Sequence, residues 1–118
     1  MKKYAVITGA SAGIGMEFAK KLAEEGYRLI LIARRKDRLQ KLAGRLRTEC
    51  EILPADLTKE SECYRVYEEI QDKEIEIFIN NAGFGDCGRF WEGDLKKELN
   101  MIHLNIRALH ILTKLMLK

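Results

Sequence analysis

Eight residues near the start of the chain, Thr8-Gly9-Ala10-Ser11-Ala12-Gly13-Ile14-Gly15, have the types and spacing to hold a phosphate. They link an apolar run, Tyr4-Ala5-Val6-Ile7-Thr8, to an amphipathic segment that starts at Ile14. Gly9 permits a tight turn at a strand end, Gly13 lets a ligand approach the backbone, and Gly15 lets a helix pack near a sheet. Free N–H groups at the helix N-terminus would then face a pyrophosphate. The spacing is G-x-x-x-G-x-G, so the general G-x-G-x-x-G fingerprint is not strictly met. An ordinary turn also accommodates a glycine triplet. The position between a buried strand and an amphipathic helix favours the ligand loop.

A second residue of interest is Asn105. Ile102, Asn105, Leu109, Leu112 and Met116 share one stripe at helical spacing, which sets an amide among apolar side chains. An unpaired buried amide costs about 1–3 kcal/mol, so a partner is expected. His103 and His110 share a polar stripe with Arg107, Lys114 and Lys118 and read as surface residues. Phe90 and Trp91, between Gly88 and Gly93, fit either a pocket wall or a loop anchor. Cys87 has no lysine or histidine beside it to activate a thiol. The three cysteines, Cys50, Cys63 and Cys87, never form a C-x-x-C pair. A metal site and a disulfide framework are not expected, and a reducing, cytoplasmic location is.

The elements that must position these residues follow from periodicity. Strand-like runs lie at Tyr4–Thr8, Arg28–Ala33, 51–53 and Ile75–Ile79. Between them, apolar stripes at helical spacing comprise Phe18, Ala19, Leu22 and Ala23, then Leu39, Leu42, Ala43 and Leu46, then Cys63, Val66, Tyr67 and Ile70. Gly26 is placed to stop the first helix, and Thr58 to cap the third, ahead of Glu60 and Glu62. Four alternations of strand and helix argue for an α/β domain whose parallel sheet is covered on both faces. The last helix is apolar around most of its circumference and reaches Lys118 without a capping glycine or asparagine, so a continuation past Lys118 is expected.

Composition agrees and excludes other classes. With 118 residues one domain is expected, and 47% hydrophobic with 33% charged residues rules out a disordered chain. No apolar run approaches the roughly 20 residues that span a bilayer, and no membrane association is expected. The formal charge of +3, from 21 basic and 18 acidic residues, reads as too small and too evenly spread to predict nucleic-acid binding.

T-G-A-S-A-G-I-G after an N-terminal strand, with Asn80-Asn81-Ala82-Gly83 after the fourth, resembles the short-chain dehydrogenase/reductase family along the whole 118 residues. The resemblance implies a Rossmann-type, doubly wound parallel sheet that binds NAD(H) or NADP(H), with hydride transfer to or from a carbonyl or alcohol. It places Gly9, Ser11, Gly13, Ile14 and Gly15 along the pyrophosphate, and Asp56 and Leu57 at the adenine. Asn80, Ala82 and Gly83 stand where the family holds its central strand and the cofactor ribose. Four strands in the order 3-2-1-4 are expected, the fourth left as an edge where a fifth belongs. Asn105-Ile106-Arg107-Ala108 resembles the stretch that carries the catalytic asparagine, which supports a water in the proton relay.

The choice of cofactor rests on the end of the second strand. An NAD-preferring site places a carboxylate there, about 20 residues past the glycines, to accept from the ribose 2′-OH. This chain has Ala33 followed by Arg34, Arg35 and Lys36. A small residue leaves room for a 2′-phosphate, and guanidinium groups pair with phosphate in a bidentate way. NADP(H) is therefore expected over NAD(H), with Arg34 and Arg35 as ligands. A solvated basic turn is the alternative for the same run. Asp37 reads as the start of the second helix.

The family's chemistry also uses a serine and a Tyr-x-x-x-Lys pair. The four tyrosines, Tyr4, Tyr27, Tyr64 and Tyr67, have Thr8, Leu31, Glu68 and Gln71 four residues later, and Ser11 and Ser61 are the only serines. The catalytic Ser, Tyr and Lys are absent from these 118 residues. One reading is the N-terminal, cofactor-binding portion of a longer NADP(H)-dependent oxidoreductase, inactive alone and acting with a small-molecule substrate. The other is a non-catalytic nucleotide-binding or self-associating module. In both, the apolar last helix predicts a homo-oligomer.

Overall fold

A computed structural model describes residues 3–83 and 92–118 of the chain. Phe90, Trp91 and Cys87 lie outside the described residues. Strands β1 (Tyr4–Thr8), β2 (Arg28–Ala33), β3 (Cys50–Pro54) and β4 (Ile75–Ile79) alternate with helices α1 (Gly13–Glu24), α2 (Lys36–Ala43) and α3 (Glu60–Ile70). After β4 come α4 (Leu95–Ile102), a π-helical segment (His103–Ala108) and α5 (Leu109–Met116). All pairings are parallel, in the order β3-β2-β1-β4. Ile7 stands beside Leu31 on one side and Ile79 on the other.

Alternate residues of the central strands enter two cores, as a sheet covered on both faces requires. Ala5 and Ile7 of β1, with Leu29 and Leu31 of β2, pack against Ala19 and Leu22 of α1 and Leu39 and Leu42 of α2. Val6, Ile30 and Ile32 pack on the opposite face against Cys63, Val66 and Ile70 of α3 and Leu112 of α5. Gly26, at φ +91°, ends α1 by donating to the Ala23 carbonyl at 2.9 Å, while the Tyr27 N–H reaches that of Leu22 at 3.1 Å. This reciprocal arrangement needs the left-handed backbone that glycine tolerates.

Three local expectations are corrected. Phe18 is exposed rather than part of the core stripe; Ala19 and Leu22 are buried under α1, with Met16 and Ala23 packed beside them. Thr58 does not cap α3: its N–H and hydroxyl both bond Asp56 Oδ1, at 3.1 and 2.6 Å, and the cap position falls on Lys59. The local turn thus takes the hydroxyl before the helix can. The third correction concerns the last helix, whose buried residues are Ala108 and Leu112, with Leu104, Ile111 and Met116 packed beside them. Ile102 and Leu109 are exposed. Leu112 and Met116 keep their expected place at the core, whereas Ile102, just before the wider π-helical turns, and Leu109, just after them, do not.

Candidate cofactor site

The crevice lies where the topology puts it. From β1 the chain builds outward through β2 and β3, then crosses back to place β4 on the other side of β1. Loops leaving β1 and β4 therefore diverge and open a cleft at the carboxyl ends of the strands. The cleft has a volume of about 440 Å³. Gly9, Ser11, Gly13, Ile14, Arg34, Asp56, Leu57, Ala82 and Gly83 all line it, as do Ala12, Ile32, Ala33, Ala55, Thr58, Asn81 and Leu104. Gly15, Arg35, Asn80 and Asn105 do not line it, and each stands nearby in a different role.

The three glycines of the first loop divide the work. Gly9 has φ +66° and Gly13 φ +57°, both in the left-handed region. A Cβ on Gly13 would meet nothing within 4 Å, so its open side belongs to the cleft it lines. A Cβ on Gly15 would overlap the Gly9 carbonyl oxygen and come within 2.6 Å of Asn81 Nδ2. Gly15 is thus a contact between α1 and the loops of β1 and β4. The N-terminal end of α1 has no side-chain cap, which leaves its first N–H groups for an anion.

Thr8, which the sequence reading left without a role, joins the two loops. Its side chain is completely buried. Its Oγ1 accepts from the N–H groups of Asn81 and Ala82, each at 2.9 Å, and donates to the Ile79 carbonyl at 3.4 Å. One hydroxyl thereby uses its donor and both lone pairs to hold the start of the Asn81–Gly83 loop. Asn81, also missed, donates from Nδ2 to the Gly9 carbonyl at 3.3 Å. Asn80 turns the other way: its Nδ2 donates to the Leu109 carbonyl and to Thr113 Oγ1, both at 3.2 Å, tying β4 to α5. The only advance signal for Thr8 was a polar residue closing a buried apolar strand.

At the β2 end of the cleft, Arg34 lines the cavity while Arg35 is engaged elsewhere. Arg35 donates from Nε and Nη2 to the two carboxylate oxygens of Asp37, at 3.1 and 3.0 Å. The hydrogen bonds from Arg35 hold the Asp37 carboxyl below the usual carboxylate range and raise the guanidinium in return. Asp37 lies in the first turn of α2, as its position in the sequence suggested.

The β3–α3 loop forms the next wall. Arg65 braces it, donating to the Pro54 carbonyl at 2.7 Å and from Nε to Glu62 Oε2 at 2.6 Å. Glu62 Oε1 accepts the Asp56 N–H at 3.3 Å. The hydrogen bond from Arg65 keeps the Glu62 carboxyl below its ordinary range, so the brace is ionised at neutral pH. From the other side, Arg107 Nη2 donates to the Thr58 carbonyl at 2.9 Å. Arg107 therefore leaves the polar surface stripe in which the sequence set it.

Asn105 sits on the π-helical segment and faces Gly83: a Cβ on that glycine would lie 2.6 Å from Asn105 Oδ1. The amide is half-buried and lines a separate, open groove with Ile106, Leu109, His110 and Thr113. A π-helical turn leaves helix carbonyls displaced from their usual partners, and such turns concentrate at functional sites. His110 is exposed and His103 half-buried. Among the described residues no group of three or more His, Cys, Asp or Glu side chains is placed to hold a metal, and no helix is long and apolar enough to cross a membrane.

A glycine-rich loop at the switch point of a parallel sheet in the order β3-β2-β1-β4 marks a Rossmann-type fold. Residues 3–118 match the family model for short chain dehydrogenases, and the chain belongs to the short-chain dehydrogenase/reductase family. It is 34% identical over 114 residues to an uncharacterized oxidoreductase of Staphylococcus epidermidis, covering 94% of this chain and 50% of that protein. The fold superposes on a short-chain dehydrogenase from Sphingobium yanoikuyae in complex with NADPH, with a TM-score of 0.90 and 38% identity, covering 96% of this chain and 46% of that one. L-sorbose reductase from Gluconobacter frateurii, complexed with NADPH and L-sorbose, gives a TM-score of 0.85 and 29% identity, covering 97% and 46%. The chain spans about half the length of these relatives.

Proposed function

We propose that residues 1–118 form the cofactor-binding portion of an NADP(H)-dependent oxidoreductase that acts on a carbonyl or alcohol of a small molecule. The observation that carries the choice of cofactor is Arg34 lining the cleft directly after Ala33, with no carboxylate at the strand end. The open side of Gly13 and the uncapped start of α1 fit a pyrophosphate. Asp56 and Leu57 stand at the adenine, and Ala82 and Gly83 near the ribose. When bound, the nicotinamide supplies or takes up a hydride. Asn105, held against Gly83, is positioned beside this end of the cleft to support a relay water. The NADPH complexes of two relatives support the same cofactor.

Arg34→Ala is expected to weaken NADPH binding about tenfold, the loss of a charge-assisted contact to phosphate, and to leave NADH within about twofold. Titration of the unmodified chain and of the variant with both dinucleotides by NAD(P)H fluorescence checks this. Tighter binding of NADH than of NADPH by the unmodified chain would defeat the assignment. Binding without turnover is expected, because the family's Ser, Tyr and Lys are not among these residues.

Self-association is supported by a row of exposed apolar residues on the last helices: Ile102, Ile106, Leu109 and Leu117. Such patches are rarely left bare on monomers. Sedimentation velocity is expected to give a dimer or larger, and a monodisperse monomer would refute it.

A further inference from the structure

Charge in this chain is not evenly spread, contrary to the reading from composition. Between Arg34 and Arg47 seven cations stand against one carboxylate, so this stretch carries a formal +6 while the whole chain carries +3. Everything else therefore sums to −3. All seven cations are exposed, on the solvent side of α2 and the turns at its two ends. Only Arg35 has an ionic partner, Asp37; among the described residues Arg34, Lys36, Arg38, Lys41, Arg45 and Arg47 have none. Elsewhere ion pairs are more frequent, with Lys20 on Glu17, Arg28 on Glu49, Arg65 on Glu62, Lys73 on Glu51 and Arg107 on Glu60, although lysines such as Lys21 and Lys59 have no ionic partner among the described residues. The basic surface begins at Arg34, which lines the cleft, and buries Leu39 and Leu42 against the sheet behind it.

We propose that this face of α2 is an encounter surface that captures the anionic dinucleotide and guides its phosphorylated ribose to Arg34. The inference rests on the reading of the cleft as an NADP(H) site. An unpaired patch of one sign raises the local concentration of a counter-charged ligand and speeds association, while adding little to the bound state unless it touches the ligand. Lys41, Arg45 and Arg47 do not line the cleft, so their contribution is long-range. The reach is set by screening: about 30 Å at 0.01 M ionic strength and about 3 Å at 1 M. NADPH carries about two more negative charges than NADH, so the surface favours the phosphorylated cofactor already at the encounter.

The test is stopped-flow binding of NADPH and of NADH to the protein and to a Lys41→Glu/Arg45→Glu/Arg47→Glu variant, at about 10 mM and about 500 mM salt. The association rate constant for NADPH is expected to fall about tenfold in the variant at low salt and less than about twofold at high salt. NADH should slow by a smaller factor, and dissociation of both should stay within about twofold. The corresponding triple Gln variant, with half the charge change and less risk to folding, should slow NADPH about threefold at low salt.

A slowing that persists at high salt, an effect carried by dissociation, or equal slowing of the two dinucleotides would overturn the proposal. So would sub-micromolar binding of a short DNA duplex that displaces NADPH and is lost in the variant, which would make the face a nucleic-acid surface. If the unmodified protein does not prefer NADPH and Arg34→Ala changes neither affinity, the cofactor reading itself fails and takes this inference with it.

Discussion

Gly15→Ala is expected to destabilise the fold by about 3 kcal/mol and to abolish dinucleotide binding. The added methyl would overlap the Gly9 carbonyl, come within 2.9 Å of the Gly9 carbonyl carbon and crowd Asn81 Nδ2 at 2.6 Å. The nearest of these atoms, the Gly9 carbonyl oxygen, is backbone, and that backbone is itself held, because the Gly9 carbonyl accepts from Asn81 and Gly9 occupies a left-handed conformation. Relief would require α1 to move off the sheet, which opens the core around Ala19 and Leu22. Urea denaturation monitored by circular dichroism should show a lowered midpoint with an unchanged slope. A loss below about 1 kcal/mol would show that the loop yields and that the contact does not determine its shape.

Gly13→Ala makes the informative contrast. Nothing stands within 4 Å of the added methyl, so the stability cost is that of a left-handed backbone alone, about 1–2 kcal/mol. Its methyl would instead occupy the cleft. Of the pair, Gly15 serves the protein's packing, and Gly13 leaves open space in the cleft.

The second large effect is expected at Thr8. Thr8→Val keeps the shape of the side chain and removes the hydroxyl, leaving the N–H groups of Asn81 and Ala82 and the carbonyl of Ile79 without that partner. Each unpaired buried group costs about 1–3 kcal/mol, and partial access of water to the loop moderates the sum, so about 3 kcal/mol is expected. NADPH affinity should fall as well, since the loop that brings Asn81, Ala82 and Gly83 to the cleft starts on this hydroxyl. Thr8→Ser restores the three bonds and should recover most of both losses. Calorimetric melting with NADPH titration separates the cases. Equal behaviour of the Val and Ser variants would mean that the methyl matters and the hydroxyl does not.

The proposed roles of the basic face of α2 and of the cleft differ in range. In the proposed reading Arg34, which lines the cleft, would touch the ligand, whereas the outer cations would act through a field that salt abolishes. The clasp between Arg35 and Asp37 belongs to neither: it spends one guanidinium on the only carboxylate of the stretch.

The periodicities of 2 and 3.6, the glycine spacing and the position of Asn80-Asn81-Ala82-Gly83 are local properties of the chain. They were enough to predict an α/β domain with a parallel sheet and to carry the family resemblance, which implied the strand order β3-β2-β1-β4 that the structure has and named many of the residues that line the cleft. What sequence could not decide depends on distances across the fold. Thr8 bonds residues more than seventy positions away, and nothing in its own neighbourhood marks that. Asn105 was read from a stripe of regular helix, of which Leu112 and Met116 do reach the core, but it lies on a π-helical turn against Gly83, and Ala108 is the buried residue that the stripe did not contain. Arg34 and Arg35 are chemically identical neighbours, and only the through-space carboxylate of Asp37 separates one from the cleft. Pattern specifies which residues a backbone can bring to one face; tertiary packing and competition for partners decide which of them are left facing the cleft.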